Sequence, residues 1–292
     1  MGAWQMLQPR RFGGQSMPAG EFVAAVAAAA AQDGSAGWRC AMANAAAYWV
    51  AVLPDHAGTD IWGGDDKARV AFGRHPGGRF ERGDDGGRLT GQWCDVAGAD
   101  VADWLLLAAD DDRLVLVHRA DIAAVVPTET AGLPDAGLAE LTVTALPVTD
   151  ERVFTACDDG AAVITGAAAA AAVAGAADGL WRVHVAQVRE KLAASYGSAE
   201  TADLTVSTRQ AARAAADIDA ATLQIVASLS QDPSTAARAQ RQAAVRAREA
   251  ADRVLGSSRG HALDASDPVA RLWRDVHTGC RLALRLLDDL DR

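Results

Sequence analysis

A stretch punctuated by Gly, Pro and Asp, from Lys67 to Asp150, separates two Ala-rich regions, and this change of pattern restricts the fold more than any other feature of the chain. Inside it, Ala68–Phe72, Arg88–Trp93, Trp104–Ala108, Leu114–His118 and Leu141–Leu146 alternate or run apolar, with β-branched residues and turn formers between them. That spacing predicts a compact, largely antiparallel β-unit. Its centre is GGRLTGQWCDVAGADVADW, Gly86 to Trp104, a hairpin-like run. A loop at Asp84–Gly87 opens it, and a short strand follows at Arg88–Thr90. Gly91, Trp93 and Cys94 come next, then a small-residue turn at Ala97–Gly98, and the next strand begins at Ala102–Trp104. Glycine at both ends of a short strand admits close backbone approach by something flat, or marks a bulge. From the residues alone, Trp93 reads as a core tryptophan.

Both flanks read as helical. Ser16 is the expected N-cap of a first helix, with Pro18 in its first turn and Phe22, Val23 and Val26 on one face up to Ala31. Gln32–Ser35 breaks it. A second helix runs from Ala36 through Trp38, Met42, Tyr48 and Trp49 and ends before Pro54. A third spans Asp55–Trp62 and stops at Gly63-Gly64. After Val153 four helices are expected: Ala161–Val188, Thr201–Leu229, Ser234–Leu255 and Val269–Leu290, the last opened by Asp267-Pro268. Leu272, Val276, Leu282, Leu286 and Leu290 keep a helical period. Short links between four helices predict an up-and-down bundle. The expected division is residues 1–66, a partial N-terminal helical domain; 67–150, a central β-domain; and 151–292, a C-terminal bundle.

A chain of 292 residues with 50% hydrophobic residues can bury a full core, and its net charge of −10 argues against a nucleic-acid or membrane-surface partner. The apolar segment Ala161–Ala177 is mostly Ala and Gly and reads as a buried helix rather than a membrane span. Cys40, Cys94, Cys157 and Cys280 are scattered, with neither a CxxC pair nor Cys/His zinc spacing, so no metal is expected and each reads as a small buried hydrophobe. With no basic, apolar leader at the N-terminus, the expectation is a reduced, cytoplasmic protein. No GxGxxG between strand and helix, no GxSxG and no P-loop occurs. The Arg-rich helix Arg238–Arg253 reads as a solvated or subunit-facing surface.

The run GG-x-x-x-x-G-x-W-x-x-x-(S/A)-G-x-x-x-A-x-W resembles the central β-domain signature of the acyl-CoA dehydrogenase superfamily, and most of all its two-component flavin-dependent monooxygenase branch. Gly91, Trp93, Gly98 and Trp104 match, while Ala97 stands where many of these hydroxylases have Ser. LQPRRFGG, DGSAGW (Asp33–Trp38), GRHPGGRF (Gly73–Phe80), the segment from Val125 to Val153 and LWRDVH (Leu272–His277) resemble further family elements in the family order. The resemblance implies an α+β fold: N-terminal helices, a central antiparallel β-domain and a C-terminal four-helix bundle. Several helices normally precede this point in the family, so a shortened N-terminal domain is expected.

The resemblance also implies a chemistry. Reduced FMN or FAD from a separate reductase would work with O2 on an aromatic or polyketide-like substrate, in a dry pocket. Trp93, Val96, Ala97 and Gly98 would hold the flavin, the first as a flat wall and the others through backbone N–H groups. Gly73–Phe80 would be a loop beside the flavin, with His75 at the phenolic substrate or at the flavin peroxide. His75 and His277 are the acid–base candidates, and Trp38 and Asn44 would line the substrate side. The late histidine of the hydroxylases falls here on Leu282 or Arg281; Arg274 and Asp275 read as a structural ion pair. The implied partners are a flavin reductase and other subunits, identical or related, with no nucleic acid and no membrane. Two other readings stand beside this one. A catalytically degenerate subunit paired with a longer relative would suit the short front, Ala97 and Leu282. An acyl-CoA dehydrogenase would need a carboxylate base, and Asp217, Asp219, Glu249 and Asp252 sit at spacings of solvated helix faces.

Overall fold

The computed structural model describes residues 3–83, 86–110, 112–155, 158–194, 201–257 and 266–290. Asp84, Asp85 and Cys157, where a loop and a core thiol were expected, lie outside them. Three helices come first: α1 (Ala19–Gln32), α2 (Gly34–Val52) and α3 (Asp55–Trp62). The Asp33 side chain caps α2 by accepting the Ala36 N–H at 2.9 Å. Ser16 does not cap α1. That helix starts from Pro18, and Ser16 sits at φ 47 with its hydroxyl accepting the Arg10 N–H at 3.0 Å. Ser16 thus closes the Pro9–Ser16 loop, two residues before the N-cap position that Pro18 occupies.

The sheet has seven strands: β1 (Val70–Gly83), β2 (Gly86–Ala97), β3 (Trp104–Ala109), β4 (Arg113–His118), β5 (Ala124–Pro127), β6 (Leu138–Val148) and β7 (Val153–Thr155). Their order is β5-β6-β2-β1-β3-β4-β7, antiparallel throughout except for β1 beside β3. Gly73–Phe80, expected as a loop, is the middle of β1. The register against β3 slips between Gly73 and Gly78 while pairing with β2 continues from Pro76, opposite Trp93. Pro76 is tolerated in a central strand because it falls in that irregularity, where no ladder partner on β3 is required. Successive residues of β3 and β4 are buried on both faces. Leu105, Leu107, Val115 and Val117 join Trp93, Leu89 and Leu141 in a core made by the sheet and its turns. Leu106, Leu114 and Leu116 face Trp49, Val50, Ile61 and Trp62 of α2 and α3.

The flat group that the glycines of β1 and β2 accommodate is the protein's own Trp93. A Cβ at Gly78 would sit 2.5 Å from its Cζ2, one at Gly91 2.9 Å from its Cη2, and one at Gly73 3.2 Å from its Cδ1. The indole is fully buried and donates to the Ala108 carbonyl at 2.8 Å.

Four helices follow: α4 (Asp159–Ala194), α5 (Thr201–Ser228), α6 (Pro233–Gly256) and α7 (Pro268–Leu290). α4 is long and apolar enough to cross a membrane, but its apolar window is 89% buried inside the protein, where it packs against α1, α2, α5, α6 and α7. Its small residues are a packing requirement. A Cβ at Gly175 or Gly179 would fall 2.2 or 2.1 Å from the α1 carbonyl oxygens of Ala27 or Ala31, so the two backbones touch. Buried Gln240 of α6 ties the bundle together, donating to the Val163 carbonyl and to Ser228 Oγ, both at 3.0 Å. Because α1 and α2 pack directly on α4, the N-terminal helices and the bundle share one core.

Candidate active site

β1 and β2 on one side and α2, α4 and α7 on the other enclose a crevice with about 580 Å³ of empty space, part of it open to solvent. Its apolar wall is Trp38, Met42 and Ala45 from α2, Phe72 from β1, Ala97 from β2, and Leu282 and Leu286 from α7. Its polar groups are Arg74, His75, Cys94, Asp95, Thr165, Arg285 and Asp289. The α7 contribution is a single helical stripe, Leu282, Arg285, Leu286 and Asp289, at i, i+3, i+4 and i+7. A β-bulge shapes the β2 contribution. Register against β6 slips between Trp93 and Val96, and Asp95 takes a left-handed φ of 57°. Trp93 and Val96 therefore both point into the sheet core, while Cys94 and Asp95 line the crevice.

Charged groups fasten the end of α7 to the sheet. Arg74 donates from Nε and Nη2 to the Asp289 carbonyl at 3.1 and 2.9 Å, placing a cation on the carbonyl end of the helix. Burial lowers the Arg74 pKa from its ordinary value, opposed by the charges of Asp289 and Asp112. His75 Nδ1 lies 3.2 Å from the Asp289 carboxylate. Arg285 reaches from α7 to Asp95 at 2.5 Å. Beside that pair, burial raises the Cys94 thiol, helped by the negative charges of Glu140 and Asp95 and opposed by Arg285. A second, open hollow of about 940 Å³ lies beyond Arg74, His75 and Asp289, which border both spaces.

Of the residues expected from the sequence, Trp38, His75 and Ala97 meet at this crevice, with Leu282. The others lie elsewhere. Trp93 presents no open face, and Val96 is in the sheet core. Gly98, at φ 72°, shapes a turn in which its N–H donates to the Gly137 carbonyl at 2.9 Å, so that N–H is already committed. Asn44 is fully buried but serves the N-terminal segment: its Oδ1 accepts the Leu7 N–H at 3.1 Å and its Nδ2 donates to the Ala3 and Cys40 carbonyls, each at 2.8 Å. His277 stacks on Trp273 on the outer side of the bundle, with Nε2 2.7 Å from Asp252 on α6. Arg274 and Asp275 do not face the crevice either. Asp275, 3% exposed, accepts the Leu133 N–H at 2.7 Å and pins α7 to the β5–β6 connection. Burial raises its pKa, opposed by that hydrogen bond and by Arg271 and Arg274. Arg74, Asp95, Arg285 and Asp289 were not singled out from the sequence; the i, i+3, i+4, i+7 stripe ending α7 is the signal that could have found the last two.

A flavin ring or a substituted arene fits these residues. The crevice has an aromatic and aliphatic wall, a cationic rim and, on Trp38, a buried indole N–H with no hydrogen-bond partner among the described residues. The family described as "Acyl-CoA dehydrogenase, C-terminal domain" matches residues 167–284. The chain is 26% identical, over 95% of its length and 83% of the relative, to the "Flavin-dependent monooxygenase, oxygenase subunit HsaA" of Rhodococcus jostii. Over 37% of the chain and 27% of the relative it is 32% identical to the "FADH(2)-dependent resorcinol hydroxylase, oxygenase component" of a Rhizobium species. Among solved structures, 3-HSA hydroxylase from Rhodococcus sp. RHA1 has the same fold, with a TM-score of 0.88 at 24% identity, covering 95% of this chain and 82% of that one. The chain thus has the acyl-CoA dehydrogenase fold and is similar to members of that superfamily, most of all to oxygenase subunits of two-component flavin-dependent monooxygenases.

Proposed function

We propose that this protein is the oxygenase component of a two-component system, taking reduced FMN or FAD from a separate reductase and hydroxylating an aromatic or polyketide-like substrate. Its setting would be the reducing cytoplasm, and its working form an oligomer. The observation that carries the reading is the crevice itself: a slot between a sheet and the end of α7, with an aromatic and aliphatic wall and bordered by arginines. The names of the two curated relatives, one a flavin-dependent monooxygenase subunit and the other an FADH(2)-dependent hydroxylase component, support it.

When bound, reduced flavin would supply the electrons with which O2 delivers one oxygen atom to the substrate ring. The chain's own residues would do the rest. Phe72, Ala97, Leu282 and Leu286 flank a flat ring and keep water out, which matters because oxidising equivalents otherwise escape unproductively. His75 is the proton-handling group. With Nδ1 held at Asp289, its Nε2 is the atom left to exchange a proton with a substrate hydroxyl. Cys94 stays a thiol, since burial and Asp95 both disfavour its anion.

The test is direct. FMN and FAD, oxidised and chemically reduced, are titrated into the purified protein, and product formation is followed with a flavin reductase, NADH and a panel of phenols. Quenched flavin fluorescence with reductase-dependent hydroxylation is expected. Absence of binding to either flavin in either state would remove the proposal.

A further inference from the structure

The wall of the crevice holds one polar group that no described part of the protein satisfies. Trp38 is 3% exposed, and its six-membered ring rests over Gly279 of α7, where an added Cβ would lie 3.8 Å from Cε3. Its Nε1–H has no acceptor among the described residues. The other indoles with a described bond are served at ordinary lengths. Trp49 donates to Thr165 Oγ1 and Trp62 to the Ala68 carbonyl at 3.0 Å; Trp93 donates to Ala108 and Trp181 to Ala211 at 2.8 Å. A buried donor without a partner is uncommon and costs stability. An indole nitrogen can only donate, so whatever completes it must present an acceptor.

Three of the neighbouring polar groups are already engaged. Thr165 accepts from Trp49 and donates to the Ala161 carbonyl. Arg285 is bound to Asp95, and Arg74 to the Asp289 carbonyl. His75 Nε2 and the Cys94 thiol lie on the sheet side, so Trp38 is the donor that α2 holds in reserve, beside Met42 and Ala45.

We infer that Trp38 is a ligand-positioning residue whose indole N–H donates to an acceptor oxygen on the planar ring that enters the crevice. This rests on the proposed function, in which two rings qualify: flavin, through a ring carbonyl, and a phenolic substrate, through its hydroxyl oxygen. Either would gain one directional bond from an otherwise apolar stretch of wall, which helps to fix its rotation in the plane.

Trp38→Phe keeps an aromatic wall and removes the donor; benzothienylalanine at position 38 keeps the two-ring shape as well. FMN binding, oxidised and reduced, is measured by fluorescence and absorbance, resorcinol binding by calorimetry, and ligand-free stability by thermal unfolding. The dissociation constant of the ring that meets Trp38 rises about five- to tenfold, the worth of one neutral hydrogen bond. Loss confined to FMN assigns the acceptor to flavin, and loss confined to resorcinol assigns it to the substrate. The benzothienylalanine protein unfolds at no lower temperature than the parent, because no bond is lost in the absence of ligand. Binding of both rings within twofold of the parent overturns the inference while leaving the proposed function standing, and so does a lower unfolding temperature for the benzothienylalanine protein. A parent protein that binds neither ring defeats both.

Discussion

Trp93→Phe separates two roles that one tryptophan beside glycines can have. If Trp93 is sheet core, the substitution removes an indole N–H that donates to the Ala108 carbonyl at 2.8 Å and opens a void over Gly78 and Gly91. The Ala108 carbonyl is only partly buried, so losing its donor costs about 0.5–1.5 kcal/mol, and the cavity left by the smaller ring adds about 1 kcal/mol or more, so a loss of about 1.5–3 kcal/mol is expected. Flavin affinity should stay within about twofold, since the indole has no exposed surface. The assay is urea unfolding followed by circular dichroism, with flavin binding measured on the folded variant. A double-mutant cycle sharpens it. Gly78→Ala places a methyl 2.5 Å from Trp93 Cζ2, an atom that Phe lacks, so the second substitution should cost less in the Trp93→Phe background, with a coupling of about 0.5–3 kcal/mol. A variant that keeps its stability to within 1 kcal/mol but binds flavin tenfold more weakly would refute the core assignment and restore Trp93 as a flavin wall.

Three other outcomes follow from the same geometry. Asp275→Asn retains an acceptor for the Leu133 N–H but no titratable proton. Because burial raises the folded-state pKa above the unfolded value near 3.8, the native state holds this proton more tightly, and the group's contribution to stability falls as pH rises from that value through the folded pKa. The urea midpoint of the variant relative to the parent should therefore climb with pH across that window and level off above it; a flat difference would contradict the raised pKa. Arg285→Met frees Asp95 at the crevice mouth. With Arg285 half exposed, stability should change by less than about 1 kcal/mol, while the stopped-flow association rate for the anionic flavin should fall several-fold, since the mouth loses a cation and uncovers a carboxylate. His75→Gln should lower reductase-driven hydroxylation by about a hundredfold or more while leaving flavin affinity unchanged, the signature of a group that handles a proton rather than holds the ring.

Helices were legible where local chemistry decides them. Asp55–Trp62 is found at its expected bounds because Pro54 and Gly63 delimit it, and Asp267 caps α7 by accepting the Val269 N–H at 2.7 Å. β1 was misread because Pro76 and Gly77 are turn formers in any local window. Only the slip against β3, set by partners thirty residues away, lets them lie in a strand. β5 and β7 are short outermost strands, with too few residues for alternation to show. The site divides in the same way. Trp38, His75 and Ala97 carried a family pattern and lie together, whereas the links from Arg74 to Asp289 and from Arg285 to Asp95 span 215 and 190 residues, so no spacing rule reaches them. Trp93 and its glycines were read as a docking platform since a sequence does not say whether the flat group admitted by glycine comes from outside the chain or from within it.

These long-range links also explain how a slot so near the core can admit a ring. All three fasten the same element, the last two turns of α7, and each runs to β1 or β2 rather than to another helix. Leu272, Val276, Cys280 and Ala283 belong to the bundle core, and Leu287 carries that core into the tail beside Gly166 of α4, whereas Arg285 and Leu286, on the crevice side, are only partly buried. The crevice-facing side of the α7 tail is therefore held to the sheet by polar contacts that water can replace, while its other side and the start of the helix depend on apolar burial and on Asp275. The proposed hydroxylase, which would have to admit a ring and then exclude water, would use that asymmetry, and the sequence provides it by setting Arg285 and Asp289 among Leu282 and Leu286 on one stripe of α7.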